Sequence, residues 1–191
     1  IVRRGGWVIR MGDKSMKPLP VMENVIDYAH NPMKCDRMDV FLCAKTKFFL
    51  GNTSGIALLS TIFGIPCALS NLVPASVLWF HEFDISIPKI LRHKATNEMI
   101  PLEEILNSQI STYQYSSQYK DNGLIIEANS ADDILFLTIE MFDRLSGQFQ
   151  ASKEEFELFD HIKQLYTAKH YSFGSQAHFA FSFARTHPDF F

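Results

Sequence analysis

Phe48-Phe49-Leu50-Gly51-Asn52-Thr53-Ser54-Gly55-Ile56 is the stretch whose reading decides the fold. Lys47 to Leu50 is a short run ending at Gly51 that reads as a strand. Asn52 to Gly55 is small and polar and reads as a turn. Ile56 to Phe63 is apolar and stops at Gly64, as a helix with a glycine end does. Pro66 to Leu69 follows as a second strand, apolar at nearly every position. A strand with two apolar faces suits a buried parallel sheet. On the other side, Met38 to Lys45 has apolar residues at 38, 41, 42 and 44, a helical spacing. Helix, strand, turn, helix and strand in so short a span make an α/β pattern. The expectation is a Rossmann-like parallel sheet.

Further out, Gly5-Gly6 leads into a strand over Trp7–Met11, which Gly12-Asp13 ends. Val25–Ala29 fits either a short strand or a helical turn. Ile85–Pro88 is extended, and Pro101–Leu106 starts a short helix with proline at an early position. Residues 111–123 are polar and read as a loop. Asn129 or Ser130 caps a helix over Ala131–Leu145, with Asp132 and Asp133 in its first turn. Lys153–Lys169 reads as a second amphipathic helix and Ser175–Thr186 as a third, rich in Phe. The domain reading is a Rossmann-like unit over 1–110 and a C-terminal helical extension over 111–191 that packs on it. There is no internal repeat.

Composition narrows the function classes. The chain has 191 residues, 47% hydrophobic and 20% charged, with a formal net charge of −3. That apolar content argues against intrinsic disorder. The slight negative charge argues against a nucleic-acid binder that works by massed phosphate neutralisation. Cys35, Cys43 and Cys67 form neither a CxxC nor an even set, so reduced thiols are expected. The seven His show no HExxH spacing, and no metal site is expected. The longest apolar run, Ile56–Leu69, is too broken to span a membrane. No initiator Met precedes Ile1, which sits just before an apparent strand. The expectation is therefore that an upstream part is missing.

Several residues could carry chemistry. Ligands in open α/β sheets collect beyond the carboxyl ends of strands. A helix start there offers unpaired amides and the positive end of its dipole, which suits phosphate. Asn52, Thr53, Ser54 and Gly55 occupy that place, although Ser54 equally fits a plain N-cap and Gly55 a plain turn. No GxxxxGK[ST] and no GxGxxG exists. Arg10, near the end of the first strand, could fork onto a diphosphate. Asp13 in the next loop could bind a sugar hydroxyl or act as a base. Each also fits a solvated surface residue. Asp39 begins a helix, and Asn71 closes the Pro66–Leu69 strand; either fits a ligand contact or a local structural role. Asp27 is equally ambiguous. His81 is a possible base in an irregular segment. The pairs Glu103-Glu104 and Asp132-Asp133 are adjacent on helix starts and do not face one another.

The segments GGWVIRMGD (5–13), VIDYA (25–29), MDVFL (38–42), FFLGNTSGI (48–56), FGIPCALSN (63–71) and IPKIL (87–91) resemble a bacterial group of glycosyltransferases associated with surface-polysaccharide genes. EANSADDI and EMFDRLSG (127–147) are similar to that group's C-terminal helical stretch. More distantly, strand–turn–SG–helix–GIP–strand resembles the nucleotide-sugar half of GT-B glycosyltransferases and sugar-nucleotide 2-epimerases. The resemblance implies a nucleotide-diphosphate sugar as donor substrate, held at Thr53, Ser54 and Gly55 with Arg10 near the diphosphate and Asp39 near the donor. It implies a glycan or lipid-linked acceptor, no metal and no other cofactor. It also implies a cytoplasmic place, peripheral to the inner membrane, and an N-terminal acceptor half not present here. The alternatives are a non-catalytic sugar- or nucleotide-binding module and an epimerase-like isomerase.

Overall fold

A computed structural model describes residues 1–191. Its centre is a four-stranded sheet of β3 (Phe49–Gly51), β4 (Cys67–Leu72), β5 (Ile85–Pro88) and β8 (His178–Phe179), in the order β3-β4-β5-β8. All three pairings are parallel, with Gly51 beside Leu69, Ala68 beside Ile85, and Ser86 beside Phe179. The architecture is α/β and Rossmann-like.

The quoted stretch folds as its pattern demands. Gly51 ends β3, the polar residues bend, and α2 (Gly55–Ile62) runs back to feed β4. Ser54 caps this helix, its Oγ accepting from the Ala57 amide at 3.4 Å, which satisfies one of the free N–H groups of the first turn. Four consecutive residues of β4, Cys67 to Ser70, are buried, so both faces of that strand are covered. One layer over it is α5 (Ala131–Leu145), packed on β4 and β5; α2 packs on β3 and β4, and α1 (Asp36–Lys45) packs on α2.

The irregular crossover from β4 to β5 is closed by a buried carboxylate. Asp84 accepts from the amides of Cys67 at 2.8 Å, His81 at 2.9 Å and Phe80 at 3.3 Å. Burial raises its carboxyl above the ordinary range against the pull of those amides.

Two strands form a separate parallel pair, β1 (Val8–Ile9) and β2 (Val25–Ile26). β2 is followed by a 3-10 turn over Tyr28–His30, so both readings of 25–29 hold for part of it. The strand expected over Trp7–Met11 shrinks to Val8–Ile9. A further antiparallel pair, β6 (Ile90–His93) and β7 (Leu124–Glu127), was not legible in the sequence. Within 111–123, a short helix, α4 (Ser116–Asp121), stands where a loop was expected. α3 (Leu102–Asn107) precedes it, and α6 (Lys153–Leu165) ends four residues early. The helix expected over Ser175–Thr186 divides into β8 and α7 (Phe181–Thr186), because extended backbone at Ala180 separates them. The segment 111–191 thus gives the main sheet its last strand as well as helices.

The two ends of the fold are tied through α5 and α7. Glu140, 3% exposed, accepts from the Phe181 amide at 3.1 Å and the Ser182 amide at 2.7 Å. Arg144 donates to the same carboxylate from Nε at 2.9 Å and Nη2 at 2.8 Å. A buried carboxylate held by a fork and two amides has its charge compensated.

Candidate functional site

The carboxyl edge of the sheet is where the sequence places a ligand, and a hydrogen-bonded chain runs along it. Asn71 has a φ of 56°, in the left-handed region, and sits where the pairing of β4 with β5 shifts register. Asparagine tolerates that region better than most residues. The shift turns its side chain toward the start of α5. The Asn71 amide donates to Asn129 Oδ1 at 2.5 Å, and the Asn129 amide donates back to Asn71 Oδ1 at 3.0 Å. Asn129 Nδ2 reaches the Pro88 carbonyl at 2.7 Å. On the other side, Asn71 Nδ2 meets Ser70 Oγ at 3.5 Å, and Ser70 Oγ donates to the Gly51 carbonyl at 3.4 Å. The ends of β5, β4 and β3 are therefore linked, and the last link, Gly51, immediately precedes the 52–55 bend.

Asn52, Thr53, Ser54 and Gly55 are all exposed. The amides of Gly55 and Ile56 make no hydrogen bond within the chain. They lie at the positive end of the α2 dipole, a place that favours negative charge. The bend is neither sealed nor enclosed. Two cavities of about 330 and 220 Å³ lie elsewhere, and no bend residue lines either.

Arg10 and Asp13 are engaged in their own loop. Arg10 Nη2 pairs with Asp27 Oδ1 at 2.9 Å and donates to the Lys17 carbonyl at 2.8 Å. Asp27 Oδ2 accepts from the Leu19 amide at 3.0 Å and meets His30 Nδ1 at 2.9 Å. Burial works to raise the Asp27 carboxyl, but the Leu19 amide, the His30 ring and the Arg10 guanidinium outweigh it and hold it below its ordinary value. Asp13 Oδ1 accepts from the Ser15 amide at 2.7 Å. Bonds from Ser15, its hydroxyl first and its amide second, hold the Asp13 carboxyl below its ordinary value. Such a carboxylate is a weaker proton acceptor than a free one. Asp39, in the first turn of α1, is paired with Lys34 Nζ at 3.1 Å. No hydrogen bond or ion pair joins Arg10, Asp13 or Asp39 to the bend or to Asn71.

His81 is exposed; its amide donates to the Asp84 carboxylate, its carbonyl accepts from the Asp84 amide, and its ring makes no hydrogen bond. Of the thiols, Cys35 is exposed while Cys43 and Cys67 are buried and free. Burial pushes the Cys67 thiol up to about 12, which makes it inert as a nucleophile at neutral pH. No group of three or more His, Cys, Asp or Glu side chains converges to hold a metal ion. No helix is long and apolar enough to cross a membrane.

The sequence reading missed Ser70 as a link, and took Asn129 only as a helix cap. The signal for Asn129 was its place just before α5; nothing in the sequence signals its pairing with Asn71. No family model, no curated protein and no solved structure matches this chain.

Proposed function

We propose that this chain is the nucleotide-sugar-binding part of a glycosyltransferase that modifies a glycan or lipid-linked acceptor. The observation that carries the reading is the exposed bend at the carboxyl end of β3, with the unpartnered Gly55 and Ile56 amides at the start of α2. A donor diphosphate would accept from those amides and from the Thr53 hydroxyl. The acceptor oxygen would bond to the anomeric carbon as the bond from that carbon to the diphosphate oxygen breaks. The acceptor's proton would pass to a base. The amides would stabilise the charge that develops on the departing diphosphate. This reading puts the protein in the cytoplasm, at the inner face of a membrane.

A second reading is a module that binds a nucleotide sugar without turning it over. It is favoured by one observation: Arg10 is spent on Asp27 and Asp13 on Ser15. Calorimetric titration of the chain with UDP-, GDP- and CDP-sugars tests the binding common to both. Aspartate caps helices as well as serine does, so Ser54→Asp keeps α2 while placing a negative charge at the amides. Binding that falls about tenfold or more in Ser54→Asp supports the site. Absence of binding, or binding unchanged in that variant, rejects it. Release of nucleoside diphosphate in the presence of acceptor separates the enzyme from the module.

A further inference from the structure

A cavity of about 330 Å³ lies between the second half of α5, the turn after it, and α7. Its volume falls at the low end of the about 300–1,000 Å³ of small-molecule sites. The charged groups around it are already matched. Glu140 is held by Arg144 at 2.8 Å, Asp143 by Arg4 at 2.6 Å, and Arg185 by Glu155 at 3.0 Å between Nη2 and Oε2. A charged ligand would find no free counter-charge there, and its desolvation would go uncompensated. The uncommitted groups are neutral. Ser182 Oγ is buried with no hydrogen-bond partner. The side-chain amides of Gln148 and Gln150 are exposed beside it, with no partner in the chain. Each of these three can donate and accept. The apolar wall is Phe136, 41% exposed, and Phe149, whose ring carries the Arg144 guanidinium 4.2 Å from its centroid.

Paired donors and acceptors of no net charge, beside aromatic carbon, match a neutral polyhydroxylated ligand, whose hydroxyls also both donate and accept. We propose that this cavity is a binding site for a neutral mono- or disaccharide, with Gln148, Gln150 and Ser182 as its hydrogen-bonding set. The site is separate from the 52–55 bend and does not depend on the nucleotide-sugar reading.

The test is a nuclear magnetic resonance titration of the isotope-labelled chain with methyl β-glucopyranoside, N-acetylglucosamine and cellobiose, with glucose 6-phosphate as the charged counterpart. The expected result is saturable shifts at the Gln148 and Gln150 side-chain amides and at Ser182 with at least one neutral probe, and no tighter binding of the phosphorylated sugar. Gln148→Ala with Gln150→Ala, both at exposed positions, weakens that probe about tenfold or more while the unfolding midpoint stays in place. Ser182→Ala also weakens it, and keeps the Ser182 amide bond to Glu140. Ser54→Asp leaves it unchanged. No saturable shift with any neutral probe overturns the proposal, as does binding indifferent to the glutamine pair, binding lost in Ser54→Asp, or preference for the phosphorylated sugar.

Discussion

Asn71 and Asn129 exchange hydrogen bonds, each backbone amide donating to the other's side-chain oxygen, at 2.5 and 3.0 Å. They are 58 positions apart in sequence, and the pair ties the end of β4 to the start of α5. Asn129→Ala leaves the Asn71 amide and the Pro88 carbonyl without their partner. The expected cost is about 2–3 kcal/mol, from the two part-buried hydrogen bonds its side chain makes. Urea denaturation measures it; a change below about 0.5 kcal/mol would show that the clasp adds nothing.

Glu140 on α5 joins α7 through the Phe181 and Ser182 amides, and pairs along its own helix with the Arg144 guanidinium. Glu140→Ala strands Arg144, whose side chain is 19% exposed, beside Phe149 and Phe181. The expected loss is about 3–5 kcal/mol, the range for breaking one side of a buried pair. Replacing Glu140 and Arg144 together by apolar residues of similar volume costs less than Glu140→Ala alone, because no charge is left behind. Thermal unfolding of both variants decides between them.

His178 sits in β8 against the Phe159 and Phe181 rings. Burial, with the Arg144 charge as the next cause, lowers its pKa from 6.5 to about 4. The unfolded chain thus takes up a proton near 6.5, where the folded chain does not. Stability from this group is complete above pH 6.5 and falls as pH drops to about 4. Across that window the loss is on the order of 3 kcal/mol. Asp84, with its raised carboxyl, acts in the opposite sense as pH falls, so the difference between wild type and His178→Phe isolates the ring. Denaturation curves at closely spaced pH values measure it; a flat difference curve would remove the claim. Carboxylates held low by partners, such as Asp133 and Glu155, lose their contributions as pH falls below their ordinary values of 3.8 and 4.5.

Arg10 holds the 14–20 loop through the Lys17 carbonyl and through Asp27, which in turn binds the Leu19 amide. Arg10→Ala frees that loop at both points. Limited trypsin digestion is expected to cut after Lys14 several-fold faster in the variant, with the core fragment intact. Equal cleavage rates would show that the pairing does not restrain the loop.

The parts of the fold that were readable share one property: their pattern is local. The β3–α2–β4 unit could be read because Gly51, the Asn52–Gly55 bend and Gly64 mark every boundary. The α5 helix was readable because Ser130 and Asp133 form a capping box at its start. The β6–β7 pair was not, because Ile90–His93 and Leu124–Glu127 are each four residues long and lean on each other across 30 intervening positions. β8 was hidden for the same reason: two residues in a Phe-rich run gain extended form only from the edge of β5. At the candidate site, the bend could be located from the sequence, since its signal lies in consecutive residues. The engagement of Arg10 by Asp27, and the chain from Pro88 to Gly51, join distant residues through side chains and leave no periodic trace.

The sheet is assembled in chain order until its final place, which is taken by His178–Phe179 after a detour of about ninety residues from β5. During synthesis the free rim of β5, with Ile85 and Ser86 unpaired on that side, stays open until His178–Phe179 has emerged. A bare rim of that kind invites pairing with another molecule. Chains cut short before His178 should therefore clump rather than form smaller stable folds.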